Sequence, residues 1–303
     1  MPLEKKKMRE KMMGRRSFLK YTAAVTLAGA LPVRSIPGAD KKKDRKWYKA
    51  LKIGMLPDKM SDAEKFKLAK KCGFDGIDGS PMDDLNAARE QGKLARDAGV
   101  PIHGLVFGGW QAPFSDPNPE VIKKGLEGMK NALRCANAMS AGTVLLVPAI
   151  VNENVSYGDA YKRSQEHIRT LVPLAEEMKV VIAIENVWNK FLLSPLEFAR
   201  YVDEFESQWV RAYFDVGNVI IHGYAQDWIR TLGKRIIKID LKDFKRKGYE
   251  WTNLLDGDVS WPQVCRALDD VGYEGYMTAE LAGGNEAHLT DIAKRIDRIF
   301  AMR

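Results

Sequence analysis

The sequence predicts an α/β protein folded as a (β/α)8, or TIM, barrel. Three observations lead there. Strand-like and helix-like segments alternate strictly across residues 50–303, eight of each. Four strand-like runs end on a carboxylate: Val180-Val-Ile-Ala-Ile-Glu185, Val210-Arg-Ala-Tyr-Phe-Asp215, Arg235-Ile-Ile-Lys-Ile-Asp240 and Tyr276-Met-Thr-Ala-Glu280. The carboxyl ends of parallel strands face the ligand in barrels and in doubly wound sheets alike. No Gly-rich phosphate fingerprint follows the first strand, which weighs against the open sheet.

The first strand is expected at Leu51–Leu56. Ser61-Asp-Ala-Glu64 has the form of a capping box and opens the first helix, where Ala63, Phe66, Ala69 and Cys72 keep helical spacing. Phe74–Asp78 is the second strand, Leu85–Ala98 the second helix and Val100–Phe107 the third strand. Asn118-Pro119 caps a third helix with Ile122, Leu126, Met129, Leu133 and Ala136 on one face. Thr143–Val147, Tyr161–Met178 and Val180–Glu185 continue the alternation. Ser194-Pro195-Leu196-Glu197 opens the fifth helix with a second capping-box pattern. Val210–Asp215, a short helix with Trp228 and Leu232, and Arg235–Leu241 follow. A helix opening at Ser260, a strand at Gly275–Glu280 and a helix at Glu286–Phe300 close the chain.

The chain has 303 residues and a formal net charge of +8. That charge is unevenly placed. Residues 1–49 carry 15 Lys/Arg against 4 Asp/Glu, so they hold a net +11 and residues 50–303 a net −3. A mildly acidic globular part weighs against a non-specific grip on nucleic acid, which needs phosphate-neutralising Lys and Arg. Cys72, Cys135 and Cys265 sit far apart in helical patterns, with no disulfide framework or zinc-type spacing.

The basic excess belongs to a leader. Gly14-Arg15-Arg16-Ser17-Phe18-Leu19-Lys20 precedes a moderately apolar stretch, Tyr21 to Leu31, and resembles a twin-arginine export signal. The apolar run is too short and too rich in Ala, Thr and Gly for a stable membrane span. The expected organisation is a signal peptide at 1–30, a charged linker at 31–49 and the barrel at 50–303. Export machinery is then a partner, and the periplasm the destination.

Four carboxylates converging at one barrel mouth repel each other strongly unless a cation sits among them. Other residues have candidate places at the same mouth. His103 lies in the third strand on one face with Leu105 and Phe107, and His222 in the loop after the sixth. Lys238, Asp240 and Lys242 share a face of the seventh strand, because side chains alternate with period two. Lys238, deeper in the barrel, is expected to be a structural ion partner. Lys242 either neutralises the carboxylates or hydrogen-bonds a substrate oxygen. Trp110 and Trp188 stand in loops at the same end of the barrel, where a flat ring can line a ligand. Asp78 ends the second strand at another rim position.

From Leu51 onward the chain resembles the xylose-isomerase-like barrel superfamily, the sugar phosphate isomerase/epimerase group. The resemblance rests on Ile184-Glu185-Asn186, Phe214-Asp215-Val216-Gly217-Asn218 and Ile239-Asp240-Leu241-Lys242-Asp243. It extends over Gly257-Asp258-Val259-Ser260-Trp261-Pro262 to Gly275-Tyr276 and Glu280. It implies one divalent cation held by Glu185, Asp215, Asp240 and Glu280, with a carbohydrate as substrate. In this family histidine usually stands at the position of Asp240, and in many relatives at that of Asn218. A set of four carboxylates is harder than one with an imidazole and favours Mg²⁺ or Mn²⁺ over Zn²⁺ or Co²⁺. It also leaves a weak, shifted or missing metal open.

The implied chemistry is proton abstraction α to a metal-polarised carbonyl, with Glu185 and Glu280 as the catalytic carboxylates. His103, Lys242, Asn218, Trp110, Trp188 and His222 are the expected substrate-binding residues. An exported enzyme rarely meets sugar phosphates, so a non-phosphorylated sugar or keto-sugar fits better. A 3-keto-glycoside lyase is the alternative, by β-elimination at the same site. An abasic-site endonuclease needs more histidine ligands than a chain with 4 His in all readily supplies. A non-catalytic sugar-binding protein remains a further alternative because of Asp240. The sequence is compatible with an oligomer.

Overall fold

The computed structural model describes residues 47–303; the leader and residues 31–46 of the linker lie outside them. Eight barrel strands alternate with eight helices. The strands are β1 (Trp47–Lys52), β2 (Gly76–Gly79), β3 (Ile102–Gly108), β4 (Thr143–Leu146), β5 (Val181–Glu185), β6 (Val210–Asp215), β7 (Ile236–Leu241) and β10 (Gly275–Ala279). Between β7 and β10 a small antiparallel hairpin is inserted, β8 (Asp243–Lys245) and β9 (Glu250–Thr252). All barrel pairings are parallel, and β1 pairs with both β2 and β10, which closes the sheet.

The helices are α1 (Asp62–Cys72), α2 (Leu85–Asp97), α3 (Pro119–Met139), α4 (Tyr157–Met178), α5 (Pro195–Asp203), α6 (Ala225–Leu232), α7 (Trp261–Asp270) and α8 (Glu286–Phe300). Their starts follow from the sequence. Both halves of the Ser61/Glu64 capping box are made. Asn118 caps α3 ahead of Pro119. At α5 Ser194 accepts from the Glu197 N–H, but the return bond is replaced, because the Glu197 carboxylate takes the Tyr157 hydroxyl at 2.5 Å. Helix α4 starts four residues earlier than its spacing predicts, because Ser156 caps it.

The first strand is the main correction. It runs from Trp47 to Lys52 rather than from Leu51 to Leu56, and Ile53–Met55 form a 3-10 turn. Trp47, Tyr48 and Lys49, expected in the linker, are part of the sheet. Their charged neighbourhood hides the strand in the sequence. In the fold the Lys49 ammonium reaches Asp297 at 2.8 Å, and the Trp47 indole donates to the Tyr273 carbonyl at 2.9 Å.

Period-two alternation sorts the strand side chains between two cores. Ile182 and Ile184 face the helices and join the main hydrophobic core. Ala183 faces inward with Leu145 and Tyr213, against Val106. The rest of the described barrel interior is unusually polar. Lys238 bridges to Asp78 at 2.7 Å, and the Asp78 carboxylate accepts from the Tyr213 hydroxyl at 2.6 Å and the Thr278 hydroxyl at 2.9 Å. Gly104 makes room for this group: a Cβ there would lie 2.5 Å from Asp78 Oδ1 and 2.9 Å from Lys238 Nζ. Removing one partner of such a buried pair typically costs about 3–5 kcal/mol, because the other charge is left uncompensated. Lys238 is thus the structural ion partner its depth in the strand implies.

His103 belongs to this interior layer. Its ring stacks on Tyr276 with centroids 3.8 Å apart, and its Nδ1 lies 2.6 Å from the Lys238 ammonium. Burial, then the neighbouring Lys238 charge, hold the imidazole well below its ordinary pKa. The folded state therefore keeps His103 neutral while the unfolded state protonates it near 6.5. Stability from this group is present above about pH 6.5 and is lost as pH falls, at up to about 1.4 kcal/mol per pH unit. Urea unfolding at pH 7 and pH 5.5 checks this. His103→Gln is expected to flatten the wild-type loss of stability across that window, and equal slopes would contradict it.

Candidate functional site

Glu185, Asp215 and Asp240 end β5, β6 and β7, and Glu280 follows β10 directly. Their strand registers bring all four carboxylates to one end of the barrel. One oxygen from each lies within 4.8 Å of the others. Three of the four residues are buried, and the Glu280 side chain is 38% exposed. The cluster expected from the sequence is therefore assembled, with one open side at Glu280.

Two lysines face it. Lys242 Nζ lies 2.9 Å from Glu280 Oε2 and 3.3 Å from Asp215 Oδ2. Lys52 Nζ, at the end of β1, lies 2.7 Å from Asp240 Oδ2. These three carboxylate oxygens make no well-aligned hydrogen bond and meet the ammonium groups as bare charges. With all four carboxylates ionised, as a bound divalent cation would require, the two ammoniums would leave two negative charges, the charge of that cation. An all-oxygen donor set with under-coordinated buried atoms suits a hard cation such as Mg²⁺ or Mn²⁺. The residues could hold one divalent cation.

The electrostatics reflect this crowding. Burial, reinforced by Glu280 and Asp240, pushes Glu185 well above the ordinary carboxylate range. Asp240 is pushed up to about 8 by burial, which Lys52 only partly offsets. Asp215 is raised by burial against the pull of Lys242. Glu280 goes the other way: burial opposes its ionisation, but Lys52 and Lys242 outweigh it. Both lysines are raised, since the carboxylates outweigh the burial that disfavours their charge.

Behind the cluster two asparagines lock β5 to β6. Asn186 accepts from the Asp215 N–H and donates to the Asp215 carbonyl, both at 3.0 Å. Asn218 donates its amide to the Asn186 carbonyl at 2.9 Å, and its N–H holds Asp215 Oδ1 at 2.6 Å. This turns Asp215 Oδ2 toward the cluster. Asn218, expected to bind substrate, is buried, with its side-chain amide and its N–H both engaged in this network. Asp240 Oδ1 lies 2.7 Å from the Tyr213 hydroxyl oxygen, whose one proton is shared between Asp240 and Asp78. Asp78 does not reach the rim; it connects this layer to the one below through Tyr213.

The remaining expected substrate residues divide. Lys242 is at the cluster. Trp188 is at the mouth, its indole donating to the Asn218 carbonyl at 2.8 Å. His103 is enclosed below Asp78, so its place is in the barrel wall rather than in the mouth. His222 is exposed and packs edge-on against Trp228 of α6, with centroids 5.9 Å apart. Trp110 lines a separate cavity of about 660 Å³ with Phe107, Lys124 and Asn131; none of the four carboxylates borders it. The sequence reading missed Lys52, Tyr213 and Trp251. Lys52 was legible in principle, since it ends its strand as the four carboxylates end theirs, but the strand was misplaced.

Fold and site together define a (β/α)8 barrel with an acidic centre at the C-terminal ends of its strands. Residues 66–299 match the xylose isomerase-like TIM barrel family model, and the chain belongs to that family. Residues 12–32 match the twin-arginine translocation signal sequence, so the chain is exported by that pathway, typically to the periplasm. A putative L-ribulose-5-phosphate 3-epimerase of Haemophilus influenzae is 25% identical over 269 residues, 80% of this chain and 92% of that one. Among solved structures, a D-psicose 3-epimerase aligns with a TM-score of 0.70 at 16% identity, covering 83% of this chain and 97% of that one. The Escherichia coli 3-keto-D-glucoside 4-epimerase YcjR aligns with a TM-score of 0.71 at 16% identity, covering 85% and 100%. The relatives point to an enzyme of the isomerase or epimerase type. Among the described residues no helix is long and apolar enough to cross a membrane.

If the carboxylates hold a cation, ligand linkage stabilises the fold by about 2.7 kcal/mol at one hundred times Kd. Added Mn²⁺ or Mg²⁺ is therefore expected to raise the Tm of the chelator-treated protein by several degrees. Asp240→His is expected to shift preference toward Co²⁺ and Zn²⁺. An unchanged Tm would count against a cation at the cluster, and an unchanged preference in the variant would remove Asp240 from the ligand set.

Proposed function

We propose that the chain is a divalent-metal-dependent sugar epimerase or isomerase that transfers a proton α to a carbonyl of a non-phosphorylated sugar or keto-sugar. The observation that carries this is the meeting of Glu185 and Glu280 in one cluster from strands that are not neighbours, with β6 and β7 between them. Two carboxylates on separate walls can address two faces of one carbon, as epimerisation requires, or two adjacent carbons, as isomerisation requires.

A divalent cation held by the four carboxylates would polarise the substrate carbonyl and acidify the carbon beside it. The chain's own groups then divide the work. Glu185, buried and without a hydrogen-bond donor among the described residues, takes or returns the proton on one side. Glu280, kept ionised by Lys52 and Lys242 and open to the mouth, serves the other. Lys242 stands beside Glu280, where its ammonium can donate to a substrate oxygen. Asn186, Asn218 and Tyr213 hold the carboxylates in place.

Two observations support a substrate without phosphate. The chain is exported, away from the cytosolic pool of sugar phosphates. Three cations near the mouth are already engaged: Lys52 and Lys242 by the carboxylates, and Arg246 by the carbonyls of Ile220 and Gly223. A lyase using the same carboxylates is not favoured, since the relatives and neighbours described above are epimerases. The acidic site and the mildly acidic globular part likewise support no role for nucleic acid.

Removing a general base typically costs on the order of 10²–10⁴ in rate. Glu185→Gln and Glu280→Gln are each expected to lose turnover by about that factor while keeping the fold. The assay is deuterium uptake from D₂O into a panel of sugars and keto-sugars with Mn²⁺ present. Exchange without epimerisation in one variant would assign that residue to the second proton transfer. Normal turnover in both would refute the acid–base assignment.

A further inference from the structure

Beside the cluster lies an aromatic surface that the proton-transfer chemistry does not use. Trp251 of β9 stacks on Trp188, with centroids 4.8 Å apart and planes 29° apart. Tyr249 lies against Trp188 at 5.5 Å. Trp188, Tyr249 and Trp251 are 38%, 61% and 45% exposed. Phe244, fully buried, meets all three edge-on or steeply tilted and forms their floor.

The surface is built rigidly. The carboxylate of Asp243 accepts from the N–H groups of Phe244, Leu255 and Val259 and from the Trp261 indole, which fixes the base of the hairpin. Arg246 ties the hairpin to the loop after β6. Tyr249 is held at φ +55°, a left-handed conformation that a bulky residue rarely adopts, and the turn thereby sets its ring beside Trp188. Contiguous exposed aromatics at the edge of a site mark a binding surface, and their stiffness lowers the entropic cost of using them.

Its position decides what it binds. Lys242 Nζ lies 5.1 Å from the centre of the Trp251 ring and 2.9 Å from Glu280 Oε2. The aromatic surface begins one ammonium group away from Glu280, the partly exposed carboxylate of the cluster. A sugar reacting at the carboxylates would point one end at Trp251. Lys242, the cation over the Trp251 ring, is engaged by Glu280, so the rings themselves offer stacking, which suits the apolar face of a sugar ring.

We propose that Trp251 and Tyr249 form a subsite for a second ring, joined glycosidically to the sugar that reacts, so that the preferred substrates are glycosides or oligosaccharides rather than free monosaccharides. This rests on the carboxylate cluster being where the sugar reacts.

Calorimetric titration of the Mn²⁺-loaded protein with glucose, cellobiose and maltose tests it without requiring turnover. At least one disaccharide is expected to bind about tenfold or more tightly than glucose, a margin of about 1.4 kcal/mol. Trp251→Ala is expected to abolish the margin while leaving Mn²⁺ binding and glucose affinity unchanged, and Trp251→Phe to retain most of it. Equal affinity of the wild type for all three sugars would overturn the proposal, as would a margin that survives in Trp251→Ala. If Trp251→Ala instead converts a dimer to a monomer in sedimentation with sugar selectivity unchanged, the surface belongs to a second copy of the chain and the subsite is refuted. Failure of the epimerase reading shows separately, as absence of deuterium exchange with every sugar.

Discussion

The structure depends on the repulsion among four carboxylates held at one end of a barrel. Burying one carboxylate without a partner is costly, and burying several together multiplies the cost. The chain offsets part of it with Lys52 and Lys242, and the rest keeps Glu185 and Asp240 above the ordinary carboxylate range; with all four ionised, two negative charges would remain for a cation to meet. The Lys52–Asp240 pair also gives the departure at Asp240 a physical meaning. An aspartate paired with a lysine contributes no net charge, as a neutral imidazole would not, so the balance suited to a divalent cation is kept.

The rest of the barrel supports that arrangement from below. Asp78, Lys238, Tyr213 and Thr278 form a polar layer whose charges cancel internally, so Lys52 and the Tyr213 hydroxyl can be directed upward at Asp240. His103 and Tyr276 lie against that layer as a stacked pair. Asn186 and Asn218 set the mouth of β5 and β6, and Trp188 continues from Asn218 outward to the aromatic hairpin. One connected set of contacts thus runs from the barrel interior, through the carboxylates, to the surface beside them.

Much of this is legible in the sequence because it follows simple periodicities. A β-branched run ending on an acidic residue specifies both a buried strand and the side chain at its mouth, as at Val181–Glu185 and Val210–Asp215. Helix starts are legible where a cap and its N–H lie within three residues, as at Ser61 and Asn118. What fails depends on distant partners. Lys49 reads as a linker charge because the carboxylate that admits it to the sheet, Asp297, lies far along the chain. Lys52 falls inside the expected first strand at Leu51–Leu56 rather than at the end of one, and its partner Asp240 is equally distant. His103 has the alternation of a mouth residue, but a register shift between β2 and β3, at Ile77/Asp78, accompanies its place against Lys238. Trp251 belongs to an insertion with no counterpart in the strand–helix alternation, so nothing local announces its stacking on Trp188.

The central claim is that the unbalanced charge of the cluster is a divalent-cation site. Anomalous diffraction from crystals grown with Mn²⁺ measures this most directly. The account predicts one strong peak bounded by carboxylate oxygens of Glu185, Asp215, Asp240 and Glu280. A cluster without a peak, with Lys52 and Lys242 still seated on its oxygens, would contradict it, as would a peak whose ligands leave Asp240 with Lys52 and Tyr213 alone.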